Sequence, residues 1–219
     1  KDQILETRLY ASQEKANFLD ELANENPTPG GGSAAAYSAA MGAGLVAMVA
    51  RLSIGRKKYA DVEDEMKAVL DEAEELRAKL TAAVEEDAAS FTAIMQAFKL
   101  PKGTDEEKNA RSQAIQDATL YASEVPLQTA HDAVNVMALA LKVASVGNSN
   151  AITDGASGAA MARAALTSAG YNVRINLGSL KDRAKAEELL NALKRLEAKA
   201  DEIDESLRSV LNERGGLTF

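Results

Sequence analysis

The sequence of 219 residues contains no cysteine, no tryptophan and a single histidine, His131. Without cysteine the chain can form no disulfide framework, no thiolate nucleophile and no metal site with sulfur ligands. A single histidine also excludes metal sites that need several imidazoles. Because His131 is spaced four residues from Leu127 and three from Val134, we predict that it is a packed histidine with a single hydrogen bond.

Aromatic residues are scarce, at 4%, whereas hydrophobic residues as a whole make up 46% of the chain. Such a core must be built from Ala, Leu, Val, Ile and Met, and small side chains let helices approach one another closely. This composition predicts an all-α fold. The length allows one large domain or two small ones. The absence of fixed-period repeats and low-complexity tracts favours a single helical domain over residues 1–219.

The chain has fewer Lys and Arg residues, 25, than Asp and Glu residues, 33, which gives a formal net charge of −8. This balance argues against nucleic acid or an anionic membrane surface as a partner. Residues 34–50 carry no charge, but they are mostly Ala and Gly and are fewer than the ~20 strongly apolar residues of a spanning helix. We therefore predict a buried, Ala/Gly-rich central helix. The start of the sequence lacks an export-signal pattern, which predicts a cytoplasmic location.

Hydrophobic residues recur at steps of three and four along most of the chain, which predicts a bundle of about six helices, several of them long. Prolines and glycines at 27–32 and 100–103 separate the first elements. Thr104 and Ser179 each open a capping-box pattern. The predicted helices cover residues 3–25, 34–53, 62–98, 104–146, 155 onward, and 179–212.

The stretch PTPGGGS, residues 27–33, runs directly into the apolar helix. Its prolines stiffen the approach, its glycines free the backbone, and Ser33 lies at the predicted N-cap. Unpaired backbone N–H groups at the positive end of a helix form an anion site. The alternative is a rigid loop that permits close packing. The candidate substrate-binding residues here are Gly30, Gly31, Gly32 and Ser33.

Asp87 lies on the apolar stripe of the helix predicted at 62–98, three residues from Val84 and four from Phe91. A carboxylate on a buried face is costly unless it is paired, hydrogen-bonded or used. Two interpretations are open. Asp87 forms a structural ion pair with a Lys or Arg of another helix, or it is an acid or base of an active site with a shifted pKa.

The segment 147–155, GNSNAITDG, is a polar loop between two Ala-rich helices. Asp154 is placed to cap the following helix, which is its simplest role. Two amides, two hydroxyls and a carboxylate within seven residues are also suited to binding a polar heterocycle. Asn148, Asn150 and Asp154 are therefore candidate site residues.

Three cations, Arg56, Lys57 and Lys58, follow Gly55 at the end of the helix predicted at 34–53. Cations at a helix C-terminus are favourable without any ligand. They are also the obvious counter-charges for an anionic ligand in a protein of net negative charge. Asn176, which alternates with apolar neighbours in the segment 172–177, is a further candidate for substrate binding.

Taken in order, these motifs resemble the cyclodeaminase/cyclohydrolase family, which includes formimidoyltetrahydrofolate cyclodeaminase and a methenyltetrahydrofolate cyclohydrolase. The resemblance covers nearly the whole chain. The motifs that carry it are PGGGS at 29–33, LSIGRKKY at 52–59, ED at 86–87 with Phe91, LPK at 100–102, VPL at 125–127, GNSN at 147–150 with Asp154, and NVRINL at 172–177.

The resemblance implies an all-α fold, a homodimer, and a reduced folate with its glutamate tail as substrate, with no metal and no prosthetic group. It implies cyclisation of 5-formimidoyltetrahydrofolate to 5,10-methenyltetrahydrofolate with release of ammonia. One alternative is hydrolysis of 5,10-methenyltetrahydrofolate to 10-formyltetrahydrofolate in the same pocket. An alternative of another class is a catalytically silent helical dimer that binds folate or serves assembly.

The chemistry of the family suggests roles for the candidate residues. Cyclodeamination needs a group that moves a proton to the leaving nitrogen and tolerates positive charge at the reacting carbon. We expect Asp87 to be this group, with Asp154 as the second candidate. Asp154 could instead bind the pterin amino edge beside Asn148 and Asn150. The glutamate tail is expected to meet Arg56, Lys57 and Lys58, helped by the N–H groups of Gly30 to Ser33.

Overall fold

The computed structural model describes residues 17–218, and within them all regular secondary structure is helical, without a β-strand. Two short 3-10 turns, Lys57–Val62 and Ser149–Ala151, interrupt the connections. The prediction of an all-α fold of about six helices is confirmed. The helices are α1 (Phe18–Leu22), α2 (Gly31–Ser53), α3 (Glu63–Phe98), α4 (Asp105–Val146), α5 (Ile152–Leu177) and α6 (Arg183–Gly215).

The predicted capping box at α4 is confirmed. The Thr104 hydroxyl accepts the Glu107 N–H at 3.2 Å, and the Glu107 carboxylate accepts the Thr104 N–H at 3.1 Å. The caps predicted at Ser33 and Ser179 are wrong, because Gly30 caps α2 and Asp182 caps α6. Ser33 lies inside the first turn of α2, and its hydroxyl bonds to α3 instead.

The helix predicted for residues 3–25 falls partly outside the described residues. Within them, Asn17 has an extended backbone, its side chain caps α1, and α1 ends at Leu22. A helix that runs unbroken through residue 17 is therefore wrong. The Phe18 ring stacks on Tyr37 with centroids 4.6 Å apart, which places α1 against the first half of α2.

Helix α2 packs against α3, α4 and α5, and most of its buried residues are Ala and Gly. A Cβ added at Gly42 would lie 2.6 Å from the Gly158 carbonyl oxygen, so the α2 and α5 backbones touch at this crossing. By length and composition α2 could cross a bilayer, but 61% of its apolar 18-residue segment is buried by the neighbouring helices. A buried core helix passes the same test.

One stripe of α2 is only partly covered by the described residues, with the Phe18 ring stacked on its first residue, Tyr37. Its large side chains recur at steps of four and seven residues, and each is 37–42% exposed: Tyr37, Met41, Met48 and Leu52. Gly44 and Leu45, at its midpoint, are partly exposed. From Met41 to Leu52 the stripe therefore presents partly exposed apolar side chains on one face of the helix.

Asp132 on α4 is a buried carboxylate that was not among the residues predicted from the sequence. It is 3% exposed and accepts hydrogen bonds from Lys79 Nζ of α3, at 3.0 Å to Oδ2, and from Gln128 Nε2, at 3.0 Å to Oδ1. The prediction that the adjacent His131 is packed is wrong, because its side chain is 55% exposed. At this level the buried face of α4 is formed by Ala130, Ala133 and Val134.

Candidate functional site

Helix α3 places the Asp87 carboxylate against the first turn of α2. Ser33 Oγ lies 2.9 Å from Asp87 Oδ2 and 3.1 Å from the Val84 carbonyl oxygen. A Cβ added at Gly32 would lie 2.6 Å from the Asp87 carboxyl carbon. Only glycine at position 32 therefore lets the carboxylate approach the helix N-terminus so closely.

The environment of Asp87 makes its carboxyl bind a proton more tightly than a carboxyl on the surface does. Burial raises the pKa of Asp87 above its usual value, and this effect exceeds the opposing one of the hydrogen bonds from the Ser33 hydroxyl and backbone N–H. No Lys or Arg among residues 17–218 forms an ion pair with it. The described residues thus do not contain the structural ion pair that was one interpretation of Asp87.

Asp87 opens onto a cavity of about 170 Å³ between the start of α2, the C-terminal half of α3, the middle of α4 and the end of α5, which we call the Asp87 cleft. Its walls combine backbone of the glycine loop, the Phe91 ring, Ile94 and several short polar side chains. The cleft is lined by Pro27, Thr28, Gly30, Gly31, Gly32, Asp87, Ser90, Phe91, Ile94, Ala122, Asn172 and Asn176.

Two amides from α5 complete the cleft. Asn172 and Asn176 lie one helical turn apart and are both half-buried. Asn172 Nδ2 donates to the Ser168 carbonyl at 3.0 Å, and Asn176 Nδ2 donates to the Ala122 carbonyl of α4 at 2.6 Å. Asn176 therefore ties two walls of the cleft together.

A second polar region, the Tyr59 cluster, consists of Lys58, Tyr59, Asn148 and Ser149. The Tyr59 oxygen accepts the Ser149 N–H at 2.9 Å, and Lys58 Nζ donates to Ser149 Oγ at 3.3 Å. The side-chain and backbone hydrogen bonds of Ser149 lower the pKa of Tyr59 to about 8. The end of α2 holds this loop in place, because Ser53 Oγ accepts the Asn148 N–H at 2.8 Å.

The structure divides the candidate residues between the two ends of α2. Gly30, Gly31, Gly32, Asp87 and Asn176 line the Asp87 cleft, and Ser33 bonds to Asp87. The cleft begins at Gly31 and the Tyr59 cluster at Ser53, so a helix of this length separates them by about 33 Å at 1.5 Å per residue. The other candidates belong to the second end: Arg56, Lys57, Lys58, Asn148, Asn150 and Asp154.

The capping role predicted for Asp154 is wrong. Helix α5 begins at Ile152, so Asp154 lies within its first turn, and the preceding Ala151 makes no side-chain cap. The Asp154 side chain is half-buried, and it forms no hydrogen bond or ion pair with another described residue. A carboxylate in the first turn still interacts favourably with the helix dipole.

The candidates chosen from the sequence omit Asn172, Ser90 and Tyr59. Asn172 could have been found from its spacing, since it lies four residues before Asn176 and therefore on the same helix face. Tyr59 ends the motif LSIGRKKY, but its contact with residue 149 depends on how two distant loops meet. Ser90 donates to the Asp87 carbonyl at 2.8 Å, a local bond with no sequence signature of its own.

Comparisons with known proteins place this geometry in a family. Residues 14–195 match the family model described as formiminotransferase-cyclodeaminase. The chain is 48% identical over 190 residues to the methenyltetrahydrofolate cyclohydrolase of Methylorubrum extorquens, covering 87% of this chain and 91% of that protein. It is 33% identical over 165 residues to the formimidoyltransferase-cyclodeaminase of Mus musculus, covering 75% of this chain but only 30% of the relative.

Among solved structures, the chain is similar to formiminotetrahydrofolate cyclodeaminase from Thermotoga maritima. The TM-score is 0.82 at 28% sequence identity, covering 92% of this chain and 98% of the other. The relatives and the similar solved structure are named as enzymes, so this helical bundle is an enzyme. The chain belongs to the formiminotransferase-cyclodeaminase family.

Proposed function

We propose that the Asp87 cleft binds the one-carbon bridge of a reduced folate and that Asp87 transfers the proton of the reaction. The observation that carries this proposal is the half-buried Asp87 carboxyl. Burial raises its pKa, and its described neighbours provide a hydroxyl but no counter-cation. Such a carboxyl can accept a proton and return it within one catalytic cycle.

The charge of the cleft supports a ligand with a cationic bridge. The carbon between N5 and N10 of 5,10-methenyltetrahydrofolate carries positive charge. The cleft contains a carboxylate and two amides, and no Lys or Arg is among the described residues that line it. Its volume of about 170 Å³ is below the roughly 300 Å³ at which pockets for whole drug-sized ligands begin, so it would hold only part of a folate.

Between the two reactions of the family, the similarity to relatives favours hydrolysis. The methenyltetrahydrofolate cyclohydrolase is 48% identical over nearly its whole length, whereas the mouse bifunctional protein is 33% identical over less of the chain. We therefore place hydrolysis of 5,10-methenyltetrahydrofolate first. Cyclodeamination of 5-formimidoyltetrahydrofolate is the second candidate, favoured by the structural similarity to the Thermotoga maritima cyclodeaminase.

Both reactions use the same proton transfer. In hydrolysis, water attacks the bridging carbon and gives one proton to Asp87, which passes it to N5 as the bond between N5 and the carbon breaks. The remaining hydroxyl proton leaves to solvent as the formyl carbonyl forms, which gives 10-formyltetrahydrofolate. In cyclodeamination, N10 attacks the amidine carbon and gives its proton to Asp87. The carboxyl then protonates the leaving nitrogen, which departs as ammonia.

Two parallel assays test the proposal. Purified protein is mixed with 5,10-methenyltetrahydrofolate, and the decay of its chromophore is compared with the uncatalysed rate. The second assay uses 5-formimidoyltetrahydrofolate and follows the chromophore and ammonia together. We expect enzyme-dependent decay in the first assay. Appearance of both products in the second would establish a cyclodeaminase, and protection against thermal unfolding by folate without turnover would favour the silent dimer.

We further propose that α2 is the centre of a homodimer. The exposed stripe is symmetric about its midpoint at residues 44 and 45, so two copies of α2 can pair antiparallel with Tyr37 facing Leu52 and Met41 facing Met48 of the second copy. The charges agree with this direction, because residues 17–50 contain acidic side chains but no Lys or Arg, whereas residues 51–58 contain four cations and no acid. Antiparallel pairing sets opposite charges together.

This pairing would bring the Tyr59 cluster of one copy toward the Asp87 cleft of the other. The Asp87 cleft lies at the beginning of α2 and the Tyr59 cluster at its end, and antiparallel helices exchange their ends. One folate could then place its bridge at Asp87 and its glutamate tail near Lys57 and Lys58 of the second copy. In this arrangement one site would use residues from both copies.

A charge swap tests the dimer. Met41→Glu and Met48→Lys should each yield monomers, because each buries an unpaired charge in the apolar interface. The double variant should recover the dimer, since each Glu then faces a Lys of the second copy. The measurement is molar mass by sedimentation equilibrium, with activity assayed in parallel. A wild type that sediments as a monomer, or single variants that stay dimeric, would contradict the proposal.

A further inference from the structure

The two asparagines of the cleft have a fixed orientation. Because a backbone carbonyl can only accept, the bonds to Ser168 and Ala122 identify the nitrogen of each amide. The other end of each amide is its Oδ1 atom. Neither Oδ1 accepts a hydrogen bond from another described residue. Asn172 and Asn176 therefore bring two unpaired acceptors to the Asp87 cleft, and each amide keeps a second N–H that can donate to an acceptor on the same ligand.

The remaining side chains of the cleft also favour a ligand rich in N–H groups. The Ser90 hydroxyl gives its hydrogen to the Asp87 carbonyl, which leaves its lone pairs available. Asp87 itself accepts at two oxygens, of which Oδ2 is bonded to Ser33. Phe91 and Ile94 form an apolar wall. A flat heterocycle that packs on this wall and presents donors along one edge fits the cleft.

We infer that the Oδ1 atoms of Asn172 and Asn176 accept hydrogen bonds from the amino-pyrimidinone edge of the pterin ring, at the 2-amino group and the adjacent ring N–H. The inference rests on the proposed function of the cleft and extends it from the reacting carbon to recognition of the ring. Asn172 and Asn176 are thus specificity-determining residues, because an analogue that lacks the amino group leaves an acceptor unpaired.

The test measures discrimination between two substrates. These are 5,10-methenyltetrahydrofolate and its 2-desamino analogue, in which hydrogen replaces the amino group. The quantity is the ratio of their kcat/KM values. We expect a ratio of about ten or more in the wild type, as one lost hydrogen bond of this kind costs about that factor. In Asn172→Leu the ratio should fall to within about threefold of unity.

The control variant is Thr167→Val on the same helix. Thr167 Oγ1 donates to the Arg163 carbonyl four residues back at 3.1 Å, as Asn172 does to Ser168, but Thr167 is exposed and does not line the cleft. Its removal should leave the ratio at the wild-type value. Asn176→Leu is the second test variant. Its thermal midpoint is measured as well, because it also breaks the bond to α4.

The outcomes separate the inference from the proposed function. A wild type that turns over both substrates equally, or full discrimination kept in both leucine variants, would overturn the inference while the proposed function stands. A wild type that neither turns over the two folate substrates of the family nor gains thermal stability from them would overturn both. A rise in KM for both substrates by the same factor in Asn172→Leu would show a merely structural role.

Discussion

The bundle buries the Asp132 carboxylate and half-buries that of Asp87, and the two differ in their partners. Asp132 is 3% exposed and meets the cation of Lys79 and the amide of Gln128. Asp87 is half-buried and meets the hydroxyl of Ser33 and an open cleft. A counter-cation offsets the cost of burying a carboxylate, whereas a hydroxyl offsets it only in part. The first arrangement holds helices together, and the second leaves a carboxyl available for chemistry.

The largest expected effect is on turnover at Asp87. Asp87→Asn keeps the shape of the side chain but removes its ability to take and return a proton, so kcat should fall by about 10²-fold or more. The measurement is steady-state kinetics with whichever substrate is turned over. Asp132→Asn is the matched control, and its kcat should stay within a few-fold of the wild type. A near-normal kcat for Asp87→Asn would rule out its role in proton transfer.

Asp132→Asn should instead act on stability. The amide loses the ion pair with Lys79, and in either orientation its NH₂ group meets a donor of Lys79 or Gln128, which we expect to cost about 1–2 kcal/mol. For a domain of this size the thermal midpoint should fall by about 2–4 °C for each kcal/mol. Unfolding followed by circular dichroism checks this. An unchanged midpoint would show that the buried pair contributes nothing net.

The smallest expected effect is a pH dependence of stability that comes from Asp87. Burial raises the pKa of Asp87 in the folded chain above its unfolded value of about 3.9, so the folded state binds more protons between these two pKa values. The contribution of Asp87 to stability is therefore greatest at low pH and is lost as pH rises through this window. Asp87→Asn should gain stability relative to the wild type over the same window.

Denaturant midpoints of the wild type and Asp87→Asn between pH 4 and pH 8 measure this difference, because the other carboxyls are common to both proteins and cancel. Asp132→Asn against wild type serves as the comparison in which an ion pair is lost. A stability difference for Asp87→Asn that grows as pH falls would have the wrong sign for a raised pKa.

The helical fold and the inward direction of the Asp87 side chain could be predicted from the sequence, because both depend on helix periodicity. Position on a helix face follows from spacing alone, and the stripe of α3 indicated which carboxylate is directed inward. The capping box at Thr104 is likewise local. The misplaced cap at Ser33 shows the limit of local rules, since a side chain that fits an N-cap was taken instead by a long-range bond to α3.

The composition of the site could be predicted only in part. The order of motifs in the sequence does not tell which helix ends meet. The candidate residues, which the sequence suggested as one site, lie at opposite ends of α2. Lys58 and Asn148 are at one end, and Asp87 with Asn176 is at the other. The exposure of His131 was missed because apolar neighbours at steps of three and four do not fix the direction of a side chain at the edge of the buried face: Val134 is buried, whereas the His131 side chain is 55% exposed. A cytoplasmic location remains a prediction.

The position of Ser33 has a consequence for how Asp87 can change its charge. The hydroxyl carries a single hydrogen and has two acceptors in reach, Asp87 Oδ2 at 2.9 Å and the Val84 carbonyl at 3.1 Å. It can give this hydrogen to the carboxylate when Asp87 is ionised, and rotate it to the carbonyl while accepting from Asp87 when the carboxyl is protonated. Rotation of the Ser33 hydroxyl about its Cβ–Oγ bond then accompanies each protonation or deprotonation of Asp87, and the heavy atoms of the cleft need not move.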